Sequence, residues 1–489
     1  MKHLALLALL VVPLAAGGSE VRMDAATLAP TLDRLTTTAR VLYVAAHPDD
    51  ENTRLLAWLA NGRHVRAAYL SLTRGGGGQN LIGTEQGELL DVVRTEELLA
   101  ARRIDGAEQF FTRMRDFGFS KSPEEALAIW GHEEALADVV RVIRSFRPDV
   151  IVTRFGEERP NHGHHTASYR LAVEAFSAAA DPNAFPEQIE AGLSPWQATR
   201  IVRNHSHWRG EAPADALAID VGGYDPRRGL DFAEIAALSR SEHKSQGFGA
   251  AGERGEIREH FVHVAGSPAE RDLLDGVPMG WARFGEKGAR VDAAVAQAQK
   301  ALERDRPERA VRPLLAVREA LRALPKDVRR DDAIADVERA IAGAAGIFLR
   351  GTAARPTAAP GDEVGIEVEL LARTGARVEL ESIAFPDGAR VAGAGILQQG
   401  RKQMVERAVR IPASAPITTP PWLAEAPRAG HYVVADPALA FAPRGPAALE
   451  VEVDLRVEGE PLRLRAPVVH AWVDRVHGER VRPFQIVPP

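Results

Sequence analysis

Val41-Leu42-Tyr43-Val44-Ala45-Ala46-His47-Pro48-Asp49-Asp50-Glu51 runs from an unbroken apolar stretch straight into one imidazole and three carboxylates. The apolar half has the pattern of a central parallel strand covered on both faces. Open α/β sheets gather ligands where such strands end, so a charged cluster at that point is placed for chemistry. Pro48 stops the strand and fixes a turn, and residues 51–60 (ENTRLLAWLA) re-enter a helix. Ionisable groups beside a buried strand are costly unless metal or water satisfies them. The plainer alternative makes Asp49 or Asp50 the helix N-cap, with Glu51 favoured by the helix dipole. Capping has no need of His47, which comes first.

Outward from this stretch, strand-like and helix-like patterns alternate over residues 40–290. Residues 65–72 read as a second strand, 87–104 as a long helix, and 133–146 as an amphipathic helix with Leu136, Val139, Val140 and Ile143 on one face. Residues 148–153 return to the sheet. Strands separated by helices of this length imply βαβ units, so the fold class is α/β: a Rossmann-like, mostly parallel sheet with helices on both faces. Residues 290–347 keep helical spacing with a break near Pro325, and read as a helical hairpin or connector. Beyond residue 350, where 16 of the 32 prolines fall, period-two stretches such as 363–370 and 449–455 indicate a small β-sandwich-like module. The expected divisions are a leader at 1–18, an α/β domain at 35–289, a helical connector at 290–350 and a β-rich C-terminal module at 351–489.

Composition narrows the class. The 489 residues are 45% hydrophobic and 26% charged, with a formal net charge of -6, which argues against a dedicated nucleic-acid binder. There is no cysteine, so disulfides, thiolate metal sites and a cysteine nucleophile are excluded. Met1-Lys2-His3, the apolar run 4–14 and the small residues Ala15-Ala16-Gly17-Gly18 read as a secretory signal peptide. The apolar run is too short to span a bilayer, so the expectation is a periplasmic or secreted protein with no transmembrane anchor.

Asn161-His162-Gly163-His164-His165-Thr166 follows the strand at 148–153 and precedes a helical pattern through Tyr169, Leu171, Ala172, Ala175 and Phe176. Two strand ends of one sheet could bring this cluster against the first. Neutral imidazole and carboxylate ligands suit zinc, and a His/His/Asp set with an open fourth position is the catalytic arrangement. Taken alone, the histidines also fit an exposed polar loop. Thr73-Arg74-Gly75-Gly76-Gly77-Gly78-Gln79 follows the second strand and permits close backbone approach or a mobile lid; no Gly-Lys-Ser/Thr follows, so it is not a phosphate-binding P-loop.

Ala46-His47-Pro48-Asp49-Asp50-Glu51 resembles the signature of the PIG-L/LmbE-like N-deacetylases, zinc hydrolases of N-acetylglucosamine-type substrates, and His162-Gly163-His164-His165 resembles their later His-x-Asp-His motif. The resemblance spans about 38–250 and makes 35–289 a deacetylase domain. It implies that His47, Asp50 and His165 hold Zn2+ (or another divalent metal such as Fe2+), with Asp49 as general base and His162 as the donor or acid near the developing oxyanion. The chain departs from the family at His164, where an Asp that orients the neighbouring imidazole is usual. Arg94 and Glu97 resemble the family's Arg-x-x-Glu helix, whose Arg reaches substrate; the alternative is a surface i,i+3 ion pair. His243-Lys244-Ser245-Gln246 resembles the His-x-Ser-Gln element, so His243 is expected behind the ligands with Glu51 and His164. Arg74 and Asp116 are further candidate substrate contacts, and Trp196 and Trp208 candidate sugar platforms. The implied substrate is a small molecule or glycan bearing an N-acetyl group. Two other classes compete. One is a non-catalytic glycan-binding protein with a structural metal. The other is a dinucleotide-binding oxidoreductase, disfavoured because His-Pro-Asp-Asp stands where Gly-x-Gly-x-x-Gly should follow the first strand.

Overall fold

The computed structural model describes residues 21–157, 162–206 and 210–489, side chains 25 and 26 excepted. The expected leader at 1–18 lies outside the described residues, as does Trp208.

The opening apolar stretch forms strand β1 (Arg40–Ala45), buried along its whole length. It pairs in parallel with β2 (Arg66–Ser71) on one side and β4 (Val150–Thr153) on the other. Beyond them lie β3 (Glu108–Phe111), parallel to β2, and β5 (Arg200–His205), parallel to β4. Strands β7 (Arg258–Gly266) and β6 (Leu217–Asp220) close that edge in antiparallel, giving the order β3-β2-β1-β4-β5-β7-β6. From β1 the chain builds first toward β3 and then, on the far side, toward β5. The order therefore reverses between β1 and β4, and the crevice at their carboxyl ends is where ligands collect in such sheets.

Alternate residues of β1 feed two cores. Val41, Tyr43 and Ala45 pack with Leu55, Leu98 and Ile235, whereas Leu42 and Val44 pack with Val139, Ile143 and Leu171. Helices therefore cover both faces, and each fully buried Leu or Val contributes about 1.5–3 kcal/mol. On the first face lie helices α1 (Thr53–Ala57, continued by a π turn at Trp58–Gly62), α2 (Glu88–Asp105) and α5 (Phe232–Arg240). On the second lie α3 (His132–Phe146) and α4 (Gly163–Ala178). The cap of α1 is Asn52, whose side chain accepts the Arg54 and Leu55 N–H groups at 3.1 Å. Capping thus explains neither Asp49 nor Asp50.

Residues 285–344 form three helices, α6 (Gly285–Ala301), α7 (Val311–Arg322) and α8 (Val328–Ala344), rather than a hairpin. They are no free linker. Their apolar faces share one core with the C-terminal strands, and α8 is ion-paired to the amino ends of β1 and β4. Arg40 meets Asp332 at 2.6 Å and Arg329 meets Asp149 at 3.2 Å. Eight of the C-terminal strands join in one sheet, and two short ones, Thr357–Ala358 and Gln485–Ile486, pair separately in parallel. What joins the eight is a single long strand, Glu460–Asp474. Its first half pairs with Glu450–Val457 and its second with Gly478–Pro483, so the halves remain hydrogen-bonded while the sheet curls around its own core.

Candidate functional site

Both polar clusters emerge at the carboxyl ends of β1 and β4, on either side of the crevice, and line one cavity of about 950 Å³. After β1 the chain turns so sharply that Asp49 adopts φ 117°, a region that non-glycine residues seldom visit. The turn is held from four directions. Tyr69 donates its hydroxyl proton to His47 O and Gln246 Nε2 donates to Pro48 O at 2.9 Å. Arg240 donates to Asp49 O, while the Asp49 N–H donates to Glu51 Oε2 at 2.9 Å. Glu51 is buried against His243 (2.9 Å) and Arg102 (3.2 Å). Burial works against its ionisation, but those two partners hold its carboxyl well below the usual range.

Asp50 turns toward the imidazoles. Its Oδ2 lies 3.2 Å from His47 Nδ1 and its Oδ1 3.5 Å from His165 Nε2. One candidate ligand atom from each of His47, Asp50 and His165 lies within 4.8 Å of the others, so this set could hold a metal ion. Bonds of about 2.0–2.2 Å to nitrogen and oxygen separate two ligands on one ion by up to about 4 Å, so the set needs little movement to close on a metal. His47, His162 and His164 form a second such set, sharing His47. The carboxylate and the access to the cavity favour the first: Asp50 and His165 line the cavity, whereas His164 is fully buried behind it.

Charge is unevenly shared. Burial opposes ionisation of Asp50, yet His165 and His47 hold its carboxyl down at about 2. Asp49 is pushed up to about 7 by burial and then by Asp50. Burial disfavours a charged His47, but the hydrogen bond to Asp50 and the nearby Asp116 raise it to about 9. Burial, followed by His47, pulls His162 down to about 4. Two adjacent carboxylates thus differ because His47 and His165 bond and face Asp50 closely enough to outweigh burial, whereas at Asp49 burial and the neighbouring Asp50 outweigh His47, Arg240 and His243.

His162 opens α4 and lies 3.2 Å from Ser120 Oγ, which also accepts the His164 N–H at 2.9 Å. His164 Nδ1 reaches His47 Nε2 at 3.0 Å, its ring stacks on Trp130 (4.6 Å), and its Nε2 has no hydrogen-bond partner among the described residues. Burial and the surrounding imidazoles drive it far below the ordinary histidine value. His164 therefore abuts His47 as a neutral ring, and it does not touch the cavity.

Asp49, His162, Arg94 and Asp116 line the cavity. Arg94 Nη2 donates to Gln79 O at 2.7 Å, and Glu97 binds the Ser245 backbone and hydroxyl at 2.6 Å, so the two do not form a surface pair. Glu51 also reaches the cavity edge, while His243 lies wholly behind it. Arg74, expected at the substrate, is not brought there. Its guanidinium is buried between Phe111 (4.2 Å) and Trp422 (4.4 Å) and donates to Ala442 O and Pro443 O. Trp196 is no sugar platform either: it donates to Pro148 O and stacks with Arg329 at the opposite end of the sheet. Four contributors were missed. Arg154 and Phe155, the latter stacked on His165 at 3.9 Å, directly follow β4 and could have been found from that strand end. Ser120, from a loop, and Arg240, from the last turn of α5, arrive from distant parts of the chain with no local signal.

A family model described as PIG-L: GlcNAc-PI de-N-acetylase matches residues 42–176. Mycothiol S-conjugate amidase of Streptomyces coelicolor is 32% identical over 166 residues, covering 31% of this chain and 57% of the relative. 1D-myo-inositol 2-acetamido-2-deoxy-alpha-D-glucopyranoside deacetylase of Geodermatophilus obscurus is 34% identical, covering 31% of this chain and 58% of the relative. The chain thus spans little more than half the length of either. The Frankia casuarinae protein named as deacetylase 2 for the same inositol glycoside is matched over 91% of its length at 32% identity, covering 49% of this chain. Among the described residues no helix is long and apolar enough to cross a membrane.

Proposed function

Because this chain belongs to the PIG-L (GlcNAc-PI de-N-acetylase) family, we propose that it is a metal-dependent hydrolase removing the N-acetyl group from an amino-sugar-type substrate. The observation that carries this reading is the convergence of His47, Asp50 and His165 at one cavity that Asp49 and His162 also line. The donor set fits a divalent ion, zinc first and iron as an alternative, because two imidazoles and one carboxylate leave a coordination position open. When bound there, the ion supplies Lewis acidity and lowers the pKa of a water molecule.

The chain's own residues then divide the work. Asp49 takes a proton from the attacking water and delivers it to the departing amine, a transfer that needs a carboxylate beside the metal but not on it. Glu51 and Arg240 hold Asp49 in its unusual turn by gripping its backbone. His162 donates toward the carbonyl oxygen as negative charge builds there. Arg94 and Asp116, which both line the cavity beside the glycine-rich loop, orient the sugar. His164 sets the orientation of His47 through the 3.0 Å contact, a role for which a neutral ring suffices.

The Rossmann-like reading of the catalytic sheet, the divisions at 35–289, 290–350 and 351–489, and export to the periplasm or beyond belong to the same proposal. Export is supported by the leader-like residues 1–18 alone. The test is acetate release from a panel of N-acetylated amino sugars by protein whose metal has been counted, before and after chelation. We expect release that disappears with the metal and returns with zinc. No release from protein holding one equivalent of metal would shift the chain to glycan binding.

A further inference from the structure

The C-terminal module takes no part in the reaction proposed above, yet it reaches the cavity wall. Tyr432 is 1% exposed, and its backbone N–H donates to Arg113 O at 2.7 Å. The Arg115 N–H donates to Gly430 O at 3.0 Å, and Met114 and His431 form an antiparallel bridge between them. Residues 430–432 are therefore bonded in an isolated antiparallel bridge to the segment that runs into Asp116. Gly430 makes the approach possible: a Cβ there would stand 1.8 Å from Ile129 O.

The Tyr432 hydroxyl donates to Asp91 Oδ2, and Asp91 Oδ1 accepts the Gly76 N–H at 2.6 Å. Asp91 is 3% exposed in the first turn of α2; burial pushes its carboxyl up to about 6, against the Tyr432 hydrogen bond and Arg74. Gly76 opens the wall formed by Gly77, Gly78 and Gln79. A four-glycine loop has no side chains to anchor it and loses the most entropy on ordering. Its position rests on a few hydrogen bonds: the Gly76 N–H to Asp91, the Gly87 N–H to Gly76 O at 3.1 Å, the Gly78 N–H to Gly75 O at 3.2 Å, and Arg94 Nη2 to Gln79 O at 2.7 Å. The first of these depends on a carboxylate whose other oxygen is held by Tyr432.

We propose that Tyr432 is a positioning residue for the cavity: through Asp91 it sets the height of the glycine-rich loop 75–79 against the substrate, so the C-terminal module is part of the catalytic unit. The effect on turnover rests on the deacetylase reading; the effect on the loop does not.

The test compares the full-length chain with Tyr432→Phe, which keeps the ring and removes only the donor. Four quantities are measured: amide hydrogen exchange, thermal unfolding, bound metal, and kcat and KM for acetate release. We expect exchange at 76–79 to accelerate about tenfold, the factor for losing one hydrogen bond to a charged carboxylate. KM should rise by a similar factor while kcat and metal content stay near wild type. Unchanged exchange at 76–79 overturns the proposal, and so does faster exchange spread evenly over the chain with a falling Tm, which is the signature of mere structural glue. If the unmodified chain releases no acetate, the deacetylase reading fails, while local exchange still decides for or against positioning. Should Tyr432→Phe prove insoluble, Asp91→Asn in the same exchange experiment decides between the two outcomes.

Discussion

Asp49 carries the largest burden of any single residue. Its φ of 117° is sustained by hydrogen bonds to both its N–H and its C=O, so the turn spends stability on pointing two adjacent carboxylates in different directions. If Asp50 serves the metal and Asp49 the water, Asp49→Ala should retain the metal and lose turnover by about 10²–10⁴-fold, the usual contribution of a general base. Metal counting and acetate release on the same preparation check this, and loss of the metal would instead make Asp49 a ligand. Both halves of the site were legible as motifs because each follows directly on a buried strand. Arg74 differs from its expected place for a complementary reason. It lies beside the same glycine run, but a loop's sequence says nothing about which side of it a long side chain will take, and here aromatic faces from two parts of the chain drew it away.

Among the elements, the loops decide more than the strands. Glycines 75–78 let the loop pass the neighbouring segment at a distance no side chain allows. A Cβ on Gly77 would lie 2.2 Å from Gly118 N and 2.6 Å from Asp116 Oδ1. Gly77→Ala must therefore push the two walls apart. We expect a loss of about 1–3 kcal/mol in stability, as for other overpacked sites, and a KM raised about tenfold through displaced Asp116 and Arg94. Thermal unfolding and steady-state kinetics test this together; an unchanged KM would detach the loop contact from substrate binding. The α1 cap shows the same dependence on context. Asp49 and Asp50 are good cap residues by type, yet Asn52, nearer the helix, takes the position and frees both carboxylates for the cavity.

For the molecule as a whole, the sheet is worked from both ends: the site occupies the carboxyl ends of the strands and α8 is ion-paired beneath the amino ends. Asp336 of α8 meets Arg34 at 3.2 Å and Arg66 at 3.6 Å, and also pairs with Arg339. Burial opposes its ionisation, but these arginines keep its pKa below the ordinary 3.8. A carboxylate depressed on folding contributes stability in full above its unfolded pKa and loses it as pH falls through the folded value. Asp336→Asn should therefore cost about 2 kcal/mol at pH 7, allowing for the partial exposure of Arg34 and Arg339, and progressively less below about pH 4. Urea unfolding at pH 7, 4 and 3 measures the difference; an equal deficit at every pH would mean that the pairs add nothing electrostatic.

By itself the sequence determined three of the parallel strands (β1, β2 and β4), the polar clusters at their ends and the resemblance they carry, because strand burial and turn chemistry act over a few neighbouring residues. Local period-two alternation likewise identified two of the C-terminal strands, Glu363–Ala372 and Glu450–Val457. Which strands pair across the chain was left to the tertiary structure, since hydrogen-bond partners far apart in sequence leave no mark on either one. That is why the expected β-sandwich-like module proved to hang on one long shared strand, and the expected helical connector proved to be a packed base. It is also why Tyr432 reaches Asp91 across more than three hundred residues. The chemistry is written in short segments, but the walls that hold it in place are made by contacts that only the folded chain brings together.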